Sequence, residues 1–356
     1  MSGTNEASGL NIHYDLTSER MKALAYERSA KDYYWHDLMI AVAFSTFLEK
    51  AQNEPQKPPT LQLLKRQAKT KQDRLTNLPL EVLFQIMEYL DIQTIQALGY
   101  LNPLWKEIVS GNRSYKHILT VAPVLLYGLN YTDMASHFTL KQLTDILMEP
   151  SCFICGKFGN LVYLPRMSRC CPHCFLLKPE LRTIAIVTTG KMYDLPRAWF
   201  EARTPCAHPP VSDSTEKITP NGIAISASRK RHLVNEAEAK RLARAHVPHE
   251  NYIPNNDDYR HLVTVPVPVV DSDGTVHNGL FCKGCRYTDS VLSSSRRAPI
   301  RDKLDAHARR DMCFSNTTIN AHISGCPEIQ QALERCKADG ADGRAGQYLD
   351  ELDGPK

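Results

Sequence analysis

Between Leu75 and Gly111 the chain reads LTNLPLEVLFQIMEYLDIQTIQALGYLNPLWKEIVSG, and its apolar positions recur at helical spacing in three short runs. The first run predicts a helix from Pro79, a residue suited to a first helical turn because its missing N–H has no partner there. Glu81, Gln85 and Glu88 make one narrow polar stripe, while Leu80, Val82, Leu83, Phe84, Ile86, Met87, Tyr89 and Leu90 cover the rest. Such a helix carries more apolar surface than neighbouring helices can bury, so the surplus must meet another part of the chain or another protein. Asp91 reads as the cap of a second helix bearing Ile92, Ile95, Leu98 and Leu101. Asn102-Pro103 opens a third with Leu104, Trp105, Ile108 and Val109, and Gly111 stops it.

Elsewhere the pattern is weaker. Residues 1–15 read as disordered, and Ser18 to Ala51 as a helix whose apolar face includes Tyr33, Trp35, Leu38, Val42 and Phe47. Core packing is the default use of that face, with a partner helix or membrane surface as alternatives. A proline-containing linker and a basic, Gln-rich stretch follow, up to residue 74. Thr139 with Gln142 forms a capping-box pattern ahead of Leu140, Leu143, Ile146 and Leu147. Leu161 to Leu164 reads as a short strand. Leu262 to Val270 and Thr275 to Phe281 read as strands around the turn Asp271-Ser-Asp-Gly274. That turn lacks the further acidic ligands of a calcium loop. Ser226 to Val247 reads as a helix, on which Arg229-Lys230-Arg231 is a solvated basic face in preference to a nuclear-import signal. The tail at 337–356 reads as disordered. No repeat period occurs, which excludes leucine-rich and WD-type arrays.

Composition places the chain among soluble intracellular proteins, cytoplasmic or nuclear. Its 356 residues allow two or three small domains, and a net charge of +4 with mixed signs creates no field inviting nucleic acid. No basic-then-apolar leader opens the sequence, and the run Leu38 to Leu48 is too short to span a bilayer.

Eleven cysteines change the picture, because most fall in Cys-x-x-Cys spacing without a secretory context. Cys152-Phe-Ile-Cys155-Gly156 and Cys171-Pro-His-Cys174 together supply four thiolates, the closed shell of a structural zinc site. Cys170 is the spare and His173 the substitute. Cys282-Lys-Gly-Cys285 is a second knuckle. His322 and Cys326 are one helical turn apart and complete a three-cysteine, one-histidine set, with His307 and Cys313 as rival ligands. Cys206 and Cys336 stand apart as plain thiols. Two structural zinc ions are therefore expected. Closed shells leave no open position for catalysis, and the chain has no His-Glu-x-x-His, phosphate-binding Gly-rich loop or Gly-x-Ser-x-Gly elbow. No catalytic activity is expected of it.

Leu78-Pro79-x-Glu81, the all-round apolar helix and the Asn102-Pro103 start ending around Trp105 resemble the F-box. The later Cys152 to Gly156, Arg169 to Cys174, Phe281 to Cys285 and His322 to Cys326 are similar to segments of a fungal lineage of F-box proteins. The resemblance implies a three-helix domain that docks on a Skp-type adaptor carried by a cullin in a ubiquitin-ligase complex. It implies that Leu78, Pro79, Val82 and Ile86 face the adaptor, while Leu98 and Trp105 pack the helices together. The expected fold is α+β. An N-terminal helix and linker at 1–74 precede the F-box at 75–115, followed by a zinc-stapled α+β region with short antiparallel strands at 116–336. That region would bind a protein substrate for degradation. The alternative is a zinc-dependent nucleic-acid-binding regulator, for which Arg296, Arg297, Arg301, Arg309 and Arg310 offer charge but no interleaved aromatics.

Overall fold

Asp91, Asn102 and Asn112 open three consecutive helices by accepting a hydrogen bond from a backbone N–H three residues on. These caps divide a largely apolar stretch into short rods: α1 (Leu80–Glu88), α2 (Ile92–Leu98), α3 (Pro103–Gly111) and α4 (Arg113–Val121). The computed structural model describes residues 23–28, 75, 78–211, 218–219, 222–223, 229–230, 232–253, 258–338 and 345–352. They fall into two compact units, Arg28–Gly279 and a smaller one made of Met1–Glu27 with Leu280–Lys356. Helices and short antiparallel strands make both units α+β.

In the larger unit, α5 (Pro123–Tyr131) and α6 (Leu140–Met148) continue the helical half. The expected capping box of Thr139 and Gln142 opens α6. Ile92 N–H donates to Phe138 O, and Leu140 N–H donates to Leu90 O, so α2 and α6 start from one knot of backbone. Leu83, Met87, Ile95, Trp105, Ile118, Leu126 and Leu143 are buried along these helices. The other half rests on a three-stranded antiparallel sheet in which Leu161–Tyr163 lies between Ser168–Cys170 and Thr264–Pro266. After Cys171 come α7 (Pro172–Leu177), α8 (Ile186–Tyr193) and α9 (Arg197–Glu201). A second strand pair joins Thr183–Ala185 to Leu233–Asn235, and α10 (Glu236–Arg244) follows.

Several expectations are corrected here. The helix expected over Ser226 to Val247 begins only at Glu236. Leu233 and Val234 are buried in a strand, and the Asn235 side chain caps the helix by accepting from Glu238 N–H. The run Leu262 to Val270 is two strands. Pro266 and Pro268 cannot donate to a ladder, so Thr264–Pro266 joins the three-stranded sheet while Val269–Val270 pairs with Val276–His277 across the expected turn.

In the smaller unit, Phe281–Cys282 pairs with Ala25–Tyr26 and leads into α11 (Lys283–Ser294). α12 (Ile300–Arg310), α13 (Thr318–Gly325), α14 (Pro327–Ala338) and α15 (Ala345–Leu352) complete it. Its core collects Leu24, Ala25, Ile319, Ile323, Ile329, Ala332 and Leu349. The expected N-terminal helix is thus a strand at Ala25–Tyr26, fixed by its partner, and most of the rest of Ser18 to Ala51 lies outside the described residues. The tail expected to be disordered contains α15, which buries Ala345 and Leu349.

Candidate adaptor-docking face and metal centres

α1 turns Leu83 and Met87 inward, half-buries Phe84, and leaves most of its other apolar side chains uncovered by the described residues of its unit. Leu78, Pro79, Leu80, Val82, Ile86 and Tyr89 are all exposed, Tyr89 by 74%. Tyr100, Leu101 and Leu104 are also open. Trp105 is buried among the helices and Leu98 half-buried. Ser114 donates to Glu88 Oε1 at 2.6 Å, fastening the end of α1 to α4. The uncovered side is therefore held on a rigid frame.

The first cysteine set comes together as its spacing predicts. Cys152, Cys155, Cys171 and Cys174 place their sulfurs within 4.8 Å of one another. Gly156 takes φ +70, the left-handed turn needed directly after Cys155, and its N–H donates to Cys152 O at 2.8 Å. Cys171 caps α7 by accepting from Cys174 N–H. Cys155 and Cys171 sulfurs are 3.7 Å apart. That is far beyond a disulfide bond and close to the roughly 3.8 Å edge of a tetrahedron with zinc–sulfur bonds of about 2.3 Å. Cys170 is fully buried outside this set, and His173 is also outside it.

Cys282, Cys285, His322 and Cys326 form the second set, again within 4.8 Å. Cys282 and Cys285 lie at the start of α11, His322 on α13, and Cys326 at that helix's C-cap. Cys282 Sγ is 3.6 Å from Cys326 Sγ, and Cys285 Sγ is 3.3 Å from His322 Nε2. Phe314 stacks on the His322 ring with centroids 4.5 Å apart, orienting it. Gly284 is needed for close approach, since a Cβ there would stand 2.9 Å from Cys326 Sγ. His307 Nδ1 faces Asp289 Oδ1 instead, and Cys313 is buried outside the set.

Each set has one thiol that gives up its proton first. The Cys171 thiol beside Cys152 holds Cys152 well below the usual thiol range, outweighing burial, while the same hydrogen bond and burial push Cys171 up. Hydrogen bonds from Cys285 and Cys326 lower Cys282, while those of Cys285 with Cys282 and Cys326 raise Cys285. Crowded sulfurs cannot all ionise against one another. A divalent cation removes that conflict, which is why four such donors at these separations suit zinc.

The helical frame is a small helical domain whose first helix presents exposed apolar side chains. More narrowly, residues 75–117 match the family model of the F-box domain, which covers α1 to α3 and the start of α4. An F-box domain implies an adaptor role in Skp–cullin–F-box ubiquitin-ligase complexes, in which it binds a Skp-type adaptor. No curated protein matches the chain, and no solved structure matches it. Among the described residues, no helix is long and apolar enough to cross a membrane.

Two features carry no sequence signal. Arg169 is buried beside the first knuckle, where its carbonyl accepts from Phe153 N–H and its guanidinium donates to the carbonyls of Ile146, Gly159, Val267 and Pro268. Its charge was readable, but its destination was not. Glu201, His208 and His232 also converge, from positions whose spacing matches no ligand motif.

Proposed function

We propose that this chain is the substrate-recognition subunit of a Skp–cullin–F-box ubiquitin ligase. In this reading Leu78, Pro79, Val82 and Ile86 dock the Skp-type adaptor, and the Cys-rich region binds a protein substrate. The carrying observation is the open apolar side of α1 lying inside the F-box match. Burying such side chains is the main driving force available to a surface of this kind. Zinc in the two cysteine sets would staple strands two or three residues long, which hold little core by themselves. Leu176, Leu177 and Val187 are exposed on α7 and α8, and so support a second, substrate-facing apolar surface. Ubiquitin transfer would occur elsewhere in the complex, with this chain supplying proximity in the cytoplasm or nucleus.

Co-purification with a Skp-type adaptor tests the reading, run beside a Leu78→Ala, Pro79→Ala double variant. Stoichiometric capture by the native chain is expected, weakened roughly a hundredfold in the variant at unchanged zinc content. Failure of folded native protein to capture the adaptor overturns it.

A further inference from the structure

Glu201 ends α9, and His208 and His232 lie on either side of a short backbone bridge. Ala207 and Leu233 exchange both hydrogen bonds, at 2.9 and 2.8 Å, which sets residue 208 opposite residue 232. The two imidazoles meet edge to face, with centroids 4.4 Å apart. Glu201 Oε1 lies 3.1 Å from His232 Nδ1 and 3.8 Å from His208 Nε2. All three ligand atoms fall within 4.8 Å of one another. Nitrogen and oxygen donors around tetrahedral zinc stand roughly 3.3–3.5 Å apart, so the observed separations bracket what one ion needs.

We propose that Glu201, His208 and His232 form a third metal site, which takes a divalent transition cation of the zinc class through two imidazole nitrogens and one carboxylate oxygen. It is independent of the adaptor reading and of both cysteine sets.

An ion pair alone is the competing account, because Arg197 Nε donates to the same Glu201 Oε1 at 2.6 Å. That account leaves His208 Nε2 unexplained. This nitrogen is buried, has no hydrogen-bond partner among the described residues, and is aimed at a carboxylate too distant to accept from it. A carboxylate has room for both Arg197 and a cation. His208 is also held as a ligand would be. The backbone N–H of His208 donates to Thr132 O at 2.7 Å, which fixes its main chain, and its ring Nδ1 faces Asp133 Oδ2 at 4.0 Å. The nearby Cys206 lies outside the set, and its Sγ faces Thr204 O at 3.3 Å. With three protein donors the shell has one position left for water or a further ligand.

The full-length chain, stripped and reloaded with Co²⁺, provides the test. Thiolate-bound cobalt shows near-ultraviolet charge-transfer bands, whereas cobalt on nitrogen and oxygen shows only weak visible bands. The native chain is expected to bind one equivalent more than produces charge transfer. His208→Gln and His232→Gln should each lose that equivalent with the charge-transfer bands intact. No such extra equivalent in the native chain, or its survival in both variants, overturns the site. Should the variants fail to fold, ring-nitrogen NMR of the native chain decides. Shifts of His208 and His232 on adding Zn²⁺ support the site, and unmoved signals overturn it.

Discussion

Arg169 sits with 1% exposure at the meeting of the three-stranded sheet with the end of α6 and the strand that starts at Val269. Its guanidinium fork satisfies carbonyls from segments about a hundred residues apart in the chain, at 2.7 to 3.1 Å for the three contacts through Nε and Nη1. Arg169→Met keeps most of the volume and removes every donor, so the carbonyls are left buried and unpaired. A loss of roughly 3 kcal/mol or more is expected in urea unfolding. Gly284→Ala is a smaller change with a local target. Its new Cβ would press on Cys326 Sγ and on Ile329 Cγ1, 2.8 Å away, and overpacking of this kind costs roughly 1–3 kcal/mol. A lower melting temperature with loss of metal from the second set alone is the expected readout. The convergence of the two Cys/His clusters was legible because a Cys-x-x-Cys pair declares its geometry locally. Arg169 was not, because its acceptors lie on backbone up to 99 residues away.

At the scale of elements, the caps were the most readable feature. Asp91, Asn102 and Thr139 each act where the sequence places them, because a cap needs only a side chain and an N–H three residues on. Strand partners were not readable. Segments of two or three residues carry too little alternation to specify a register, and Thr183–Ala185 finds its partner some 50 residues later. Asn235 joins these two kinds of information. Its Oδ1 caps α10 while its Nδ2 donates to Tyr163 Oη at 2.9 Å and to Glu180 O at 2.8 Å. Asn235→Ala should therefore cost about 2 kcal/mol, against about 1 kcal/mol for the simple cap lost in Asn102→Ala. Chemical denaturation of the two variants side by side measures the difference.

At the scale of the whole molecule, the α+β class followed from the alternation of helical and strand-like runs, and the F-box helices were legible in full. The composition of the smaller unit was not. Its first strand lies in a stretch with helical periodicity, and only pairing with Phe281–Cys282 reveals it as a strand. Tyr26 and Phe281 rings pack with centroids 5.8 Å apart across that pair. Removing the residues up to Glu27 is expected to loosen this unit's core and release metal from Cys282, Cys285, His322 and Cys326. Proteolysis should then attack α13 and α14 while the F-box helices stay protected. Chelation should act on different ground. A strong chelator is expected to abolish near-ultraviolet circular dichroism from the stapled regions while helical signal from α1 to α6 persists, since those helices pack on Leu126, Leu143 and Trp105 without metal ligands.

The pairing of Ala25–Tyr26 with Phe281–Cys282 also has a meaning in time. Roughly 250 residues of chain separate the two strands, including every helix of the F-box. At translation rates of roughly 5–20 residues per second, the leading segment emerges from the ribosome roughly 10–50 s before its partner exists. The F-box is therefore complete while the smaller unit is still half-made. A nascent chain can meet its adaptor before the C-terminal cysteine set has been synthesised.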